Sequence, residues 1–187
     1  LGACLADDMG LGKTLQTLST LVAVQEKLEV EKAENTQLDL FGNEIPVAKE
    51  YLKALIVLPS SLVFNWYNEA RKFTPHFRRI QYVGQDRKLL SKKLEKYDLI
   101  FTSYAVMSRD LSILEKYQFR YLILDESQYI KNKNSKIFKA INQLQTTHKI
   151  SLSGTPIENS LDDLWSQMQF INPNILGSYA FFAEHYK

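Results

Sequence analysis

Short, mostly apolar runs alternate along this chain with longer stretches in which apolar residues return every three or four positions. Gly2 to Ala6, Ala54 to Leu58, Ile80 to Val83, Leu99 to Thr102, Tyr121 to Leu124 and Lys149 to Leu152 are the runs, and each predicts a strand. The periodic stretches predict helices: one from the glycine-rich turn after Ala6 to about Leu28, with Leu15, Leu18, Leu21 and Val22 on one stripe, then Leu62 to Phe73, Arg87 to Leu94, Ser108 to Glu115, Lys136 to Leu144 and Leu161 to Phe170. Ser60 or Ser61 is the expected N-cap of the second of these helices. Glu29 to Lys53 keeps no period and holds Gly42 and Pro46, so residues 29–53 are expected to be an inserted loop. Strands that are apolar throughout, separated by helices, imply a parallel sheet covered on both faces: an α/β, three-layer domain. Ligands of such sheets lie beyond the C-terminal strand ends. The polar residues just past those ends are Asp7 to Thr14, Pro59 to Ser61, Thr102 to Tyr104, Asp125 to Gln128 and Ser153 to Pro156.

Composition narrows the class without changing this picture. The 187 residues suit one domain, and 45% hydrophobic with 24% charged residues are globular values. No apolar run approaches the ~20 residues of a membrane-spanning helix, and the opening Leu1-Gly2-Ala3-Cys4-Leu5-Ala6 lacks the basic start of a signal peptide. An opening strand without an initiator Met is expected of a fragment of a longer protein. Cys4 is the single cysteine, which favours a reducing, intracellular setting. His76, His148 and His185 stand far apart, without the spacing of zinc ligands. The net charge is +2, but Arg71 to Lys96 is rich in Lys and Arg while Glu26 to Glu50 leans acidic. A basic stripe of this kind is a solvated face unless the fold sets it beside a groove.

Three strand tips carry candidate chemistry. In Asp7-Asp8-Met9-Gly10-Leu11-Gly12-Lys13-Thr14, Gly10 and Gly12 permit a tight turn whose N–H groups face inward, and the following helix adds partial positive charge at its N-terminus. Asp8 to Thr14 would cradle phosphates, with Lys13 reaching the β- and γ-phosphates and the Thr14 hydroxyl on Mg²⁺. Asp7 stands where the general phosphate-loop pattern has glycine. Asp125, at the end of Leu122-Ile123-Leu124, can hold a metal through its water shell, and Glu126 can orient and deprotonate an attacking water. Ser153-Gly154-Thr155-Pro156 offers small hydroxyls that can sense a terminal phosphate. Each tip alone also fits an ordinary turn; three on one sheet converge.

These segments, in order and over nearly the whole chain, resemble the motifs of the SWI/SNF-type ATPases, a branch of the superfamily-two helicases. Asp7 to Thr14 resembles motif I, where the family tolerates a non-glycine first residue. Leu58 to Leu62 with Asn65-Trp66 resembles motif Ia, and Thr102-Ser103-Tyr104 motif Ib. Asp125-Glu126-Ser127-Gln128 with Ile130-Lys131-Asn132 resembles motif II, keeping both acids, and Leu152 to Asn159 with Asp163-Leu164-Trp165 resembles motif III. The resemblance implies a RecA-like ATP-binding lobe, with residues 1–187 as a single lobe of a DNA-dependent ATPase that translocates on double-stranded DNA and remodels protein–DNA complexes. It implies ATP and Mg²⁺ at Lys13, Thr14 and Asp125, with Glu126 as general base. It implies coupling through Gln128, Ser153, Gly154 and Thr155, and DNA-backbone contacts at Pro59, Ser60, Ser61, Leu62, Thr102, Ser103 and Tyr104. A second RecA-like lobe would supply an arginine finger worth ~10³ to 10⁵ in rate, so the isolated fragment is expected to turn over ATP very slowly or not at all.

Within the insertion, Gln37-Leu38-Asp39-Leu40-Phe41 resembles the peptide by which bacterial proteins dock on the DNA-polymerase sliding clamp, with Leu and Phe anchors. The alternative packs Leu38, Leu40 and Phe41 onto the chain's own domain. A bacterial, nucleoid-associated cytoplasmic setting is expected over a nuclear one. Two competing functions remain: another phosphate-loop enzyme such as a nucleotide kinase, opposed by the paired acids and the Ser-Gly-Thr-Pro element, and a non-catalytic DNA- or partner-binding module with a structural nucleotide, opposed by intact Lys13, Asp125 and Glu126.

Overall fold

The computed structural model describes residues 2–8, 10–34, 52–154 and 161–186. Among the described residues six strands form one sheet: β1 (Gly2–Ala6), β2 (Ala54–Leu58), β3 (Arg79–Gln81), β4 (Leu99–Ser103), β5 (Gln118–Leu124) and β6 (Gln145–Ser153). Their order across the sheet is β1-β6-β5-β2-β4-β3, and every pairing is parallel. Parallel neighbours need crossovers, and helices lie in those connections: α1 (Lys13–Glu34), α2 (Val63–Phe73), α3 (Arg87–Ser91), α4 (Tyr104–Arg109), α5 (Leu111–Leu114) and α6 (Lys136–Gln143), while α7 (Leu161–Ile171) and α8 (Tyr179–Tyr186) follow β6. No helix among the described residues is long and apolar enough to cross a membrane.

β2 shows why its sequence has no polar alternation. All five of its residues are buried, and successive side chains enter different cores. Leu55 and Val57 join Tyr104, Met107, Phe138, Ile141 and Phe170 on one side of the sheet. Ala54, Ile56 and Leu58 join Leu18, Leu21, Val63, Trp66 and Ala70 on the other. The three-layer expectation therefore holds, with α1 and α2 on one face and α4, α6 and α7 on the other.

Several boundaries differ from those expected. α1 runs on to Glu34, past Leu28, because its last turns are held by side-chain pairs and not by an apolar stripe: Gln25 donates to Glu29 at 2.8 Å and Lys27 lies 3.7 Å from Glu31. Glu29 to Glu34 is thus helix and not loop. Neither Ser60 nor Ser61 caps α2; the N-cap is Leu62, without a side-chain bond, and its amide donates to the Pro59 carbonyl at 2.9 Å in a backbone turn. Ser103, in contrast, caps α4 by accepting from the Val106 amide at 3.3 Å. Asp110 separates α4 from α5 where one helix was expected. α8 was not expected; its run of aromatic residues has no clean period.

Arg87 corrects the reading of the basic stripe as a solvated face. It is only 8% exposed. Its Nε donates to Asp110 Oδ2 at 2.6 Å and its Nη2 to Asp110 Oδ1 at 3.1 Å, while the Tyr82 hydroxyl donates to the same carboxylate at 3.2 Å. The bidentate guanidinium holds the Asp110 carboxyl below the usual range, and burial beside that carboxylate pushes the Tyr82 phenol up to about 12.

Candidate nucleotide site

The sheet order puts the tips of β1, β6 and β5 side by side. The loop after β1 turns at Gly10 (φ 88°) and Gly12 (φ 77°), left-handed conformations natural to glycine, with open space where a Cβ would stand. Its Lys13 folds back: Nζ donates to the carbonyls of Asp7 at 2.7 Å and Asp8 at 2.9 Å. α1 begins at Lys13, so its unpaired N–H groups and positive dipole end point out of this loop.

Across the gap stands the end of β5. Asp125 is buried, and both its carboxylate oxygens have donors: Trp66 Nε1 to Oδ2 at 2.8 Å and the Glu126 amide to Oδ1 at 3.0 Å. Burial pushes its carboxyl up, and the Trp66 and Glu126 donors work against that push; neighbouring Glu126 raises it and Lys13 lowers it. Glu126 takes the left-handed conformation (φ 49°, ψ 56°), rare for a side chain of its kind. Its Oε2 accepts from Gln128 Nε2 at 2.7 Å.

Between the loop and these acids lies a cleft of about 290 Å³ lined by Gly10, Gly12, Lys13, Thr14, Leu15, Glu69, Asp125 and Glu126. Its donor set suits a magnesium-bound polyphosphate: one ammonium, a hydroxyl at Thr14, a helix N-terminus and a hard carboxylate oxygen pair. Leu15 and Glu69 are additions to the expected lining. Glu69 follows Trp66 by one helical turn, a spacing that puts both on one face of α2.

The remaining expected residues divide. Ser60 and Ser61 are exposed just past β2, flanked by half-buried Pro59 and Leu62. Thr102, Ser103 and Tyr104 are buried, and their side chains point to internal partners: Thr102 to the Tyr82 carbonyl at 2.8 Å, Ser103 to α4, and Tyr104 to the Asp125 carbonyl at 2.7 Å. As surface contacts for a nucleic-acid backbone these three side chains are not available here, because a parallel strand end packed on both faces turns its first polar residues inward. Asp8 and Leu11 lie on the exposed loop, closed by the Leu11 amide to the Asp8 carbonyl at 3.4 Å. Ser153 is buried at the end of β6, level with Ala6, and Gly154 follows. Met9, Thr155 and the whole Gln37-Leu38-Asp39-Leu40-Phe41 segment lie outside the described residues.

A family model for the SNF2-related domain matches residues 1–187. The chain belongs to the SNF2-related family. It is 38% identical, over an alignment of 188 residues that covers the whole of this chain, to the TATA-binding protein-associated factor MOT1 of Saccharomyces cerevisiae, of which it covers 10%. It is 34% identical, again over its full length, to an uncharacterized ATP-dependent helicase of Mycoplasma genitalium, of which it covers 16%. The solved SWI2/SNF2 ATPase core of Sulfolobus solfataricus in complex with double-stranded DNA superposes with a TM-score of 0.78 at 43% identity, over 97% of this chain and 33% of that one. The fold is therefore the RecA-like one of that ATPase core. The chain spans a sixth or less of the curated relatives it matches here. With eukaryotic factors prominent among these relatives and a bacterial helicase beside them, the expected bacterial, nucleoid-associated setting finds no support.

Proposed function

We propose that this SNF2-family chain is the nucleotide-binding lobe of a DNA-dependent ATPase that translocates on duplex DNA and remodels protein–DNA complexes. The observation that carries the reading is the single cleft lined at once by Gly10, Gly12, Lys13 and Thr14 and by the acids Asp125 and Glu126. Gly10 to Thr14, with Asp8 and Met9, cradle the phosphates of ATP. Thr14 and Asp125 hold Mg²⁺, which neutralises phosphate charge when bound. Glu126 takes the proton of the attacking water. Gln128 bonds to Glu126 and, with Ser153, Gly154 and Thr155, couples the site to DNA. Exposed Ser60 and Ser61, with Pro59 and Leu62, touch the DNA backbone, so binding is salt-dependent and blind to sequence. A second RecA-like lobe completes the site with its arginine, and residues 1–187 alone turn over little or no ATP.

The deciding experiment is Glu126→Gln in the full-length protein. ATP binding is retained and DNA-stimulated turnover is lost; a variant that hydrolyses ATP at the wild-type rate defeats the reading. Gln37 to Phe41 is proposed as a sliding-clamp docking peptide. A synthetic peptide spanning Glu34 to Glu44 binds a bacterial clamp if this is right, and shows no binding at high micromolar concentration if it is wrong.

A further inference from the structure

Asp125 is gripped from both layers of the fold. From the α1–α2 side, the Trp66 indole donates to its Oδ2 at 2.8 Å. From the α4–α6 side, the Tyr104 hydroxyl donates to its main-chain oxygen at 2.7 Å. Both aromatic residues are 3% exposed, so neither bond is shared with solvent.

The two bonds fix different things. Trp66 and the Glu126 amide occupy one lone pair on each carboxylate oxygen, which sets the rotamer and leaves about two acceptor sites for the cleft. Tyr104 fixes a peptide plane: the carbonyl it holds belongs to the peptide joining Asp125 to Glu126, immediately before the left-handed turn at Glu126. Without that tether, the uncommon backbone conformation at Glu126 could relax and turn the second acid out of the cleft. The Tyr104 ring is in turn held flat against Tyr129, centroids 4.8 Å apart and planes within 9°.

We propose that Trp66 and Tyr104 are positioning residues for the two acids, Trp66 aiming the Asp125 carboxylate at the divalent cation and Tyr104 holding the 125–126 peptide so that Glu126 faces the phosphate loop. This rests on the magnesium–nucleotide reading of the cleft. Neither residue touches nucleotide; each acts through Asp125, as partners behind a metal ligand do.

The test uses the full-length protein, a fluorescent ATP analogue and a Mg²⁺ titration. Trp66→Phe raises the Mg²⁺ concentration for half-maximal analogue binding about tenfold, the usual cost of losing one bond behind a metal ligand, and leaves metal-free binding unchanged. Tyr104→Phe removes only a hydroxyl and keeps the stack on Tyr129; it lowers DNA-stimulated kcat about tenfold with KM for ATP within about twofold, the pattern of a misaimed base. Tyr67→Phe, whose ring packs edge-on against Phe101 in the same layer as Trp66, changes neither readout. The proposal is overturned if Trp66→Phe and Tyr104→Phe lower the melting temperature yet leave the Mg²⁺ midpoint and kcat at wild-type values. Should Trp66→Phe not fold, Tyr104→Phe alone decides. A wild-type protein that does not bind the analogue sinks the nucleotide-site reading itself, and one that binds it with no dependence on Mg²⁺ sinks the magnesium part of that reading; both differ from wild-type behaviour of the variants.

Discussion

The Lys13 ammonium lies 2.7 Å from the main-chain oxygen of Asp7, the first residue after β1. That bond, with the one to Asp8, keeps the cation at the mouth of the cleft by using carbonyls that any residue would provide. Lys13→Ala therefore changes the melting temperature of the nucleotide-free protein by the equivalent of no more than about 0.5 kcal/mol. ATP-Mg²⁺ affinity falls about 10- to 100-fold, the worth of a charged hydrogen bond of about 1.5–3 kcal/mol. Titration calorimetry against a parallel thermal melt separates the two effects.

Glu126 sits at φ 49°, where a glycine would be at ease. Glu126→Gly is expected to be more stable than Glu126→Ala by about 1 kcal/mol, because both lose the Gln128 bond and only glycine suits the left-handed turn, and both abolish turnover. Urea denaturation and an ATPase assay on the same samples check both halves; a glycine variant less stable than the alanine one contradicts the strain.

The Arg87–Asp110–Tyr82 cluster makes stability depend on acid. Arg87 lowers the Asp110 carboxyl in the folded protein, so the cluster's contribution is complete above the ordinary carboxylate range and is lost as pH falls through the lowered value. Asp110→Asn is destabilised at neutral pH because the Arg87 guanidinium loses its counter-charge, and the gap to wild type closes toward strongly acid pH. A gap that widens on acidification refutes the assignment. Melting curves across pH 2 to 7, roughly the span in which carboxylates titrate, record it.

Ser60 and Ser61 are the exposed members of the proposed DNA contact. Replacing both by Glu places two negative charges against the phosphate backbone. DNA affinity then drops at least about tenfold, most strongly at low salt, and ATP affinity without DNA is unchanged. Fluorescence anisotropy over a salt series reports the first, and the nucleotide titration the second.

Much of this was legible because it is local. β2 and the Tyr121–Leu124 half of β5 stand out as apolar runs, since both are covered on both faces, and the Gly10–Thr14 loop and the Asp125–Glu126 pair each occupy one continuous segment. What stayed hidden is the contact between distant segments. Nothing in the chain announces that Trp66 bonds Asp125, 59 positions away, or that Tyr104 faces inward to the same residue. Arg87 was invisible for another reason: surrounded by Lys88, Lys92 and Lys93, it looks like part of a wet surface until Asp110 is brought beneath it. The end of α1 was missed because polar side-chain pairs one turn apart, not an apolar period, accompany it.

β1, which delivers the phosphate loop, borders only β6 among the described strands, and that pairing joins Gly2 to Lys149 near the far end of the chain. An outer ribbon stitched by such distant closure is the natural place for the sheet to unzip first. A ligand seated in its loop binds only the zipped form and so raises the local opening energy. Deuterium uptake at the amides of Ala3 to Ala6 should therefore slow when ATP and Mg²⁺ are added, while uptake in fully enclosed β2 stays as it was.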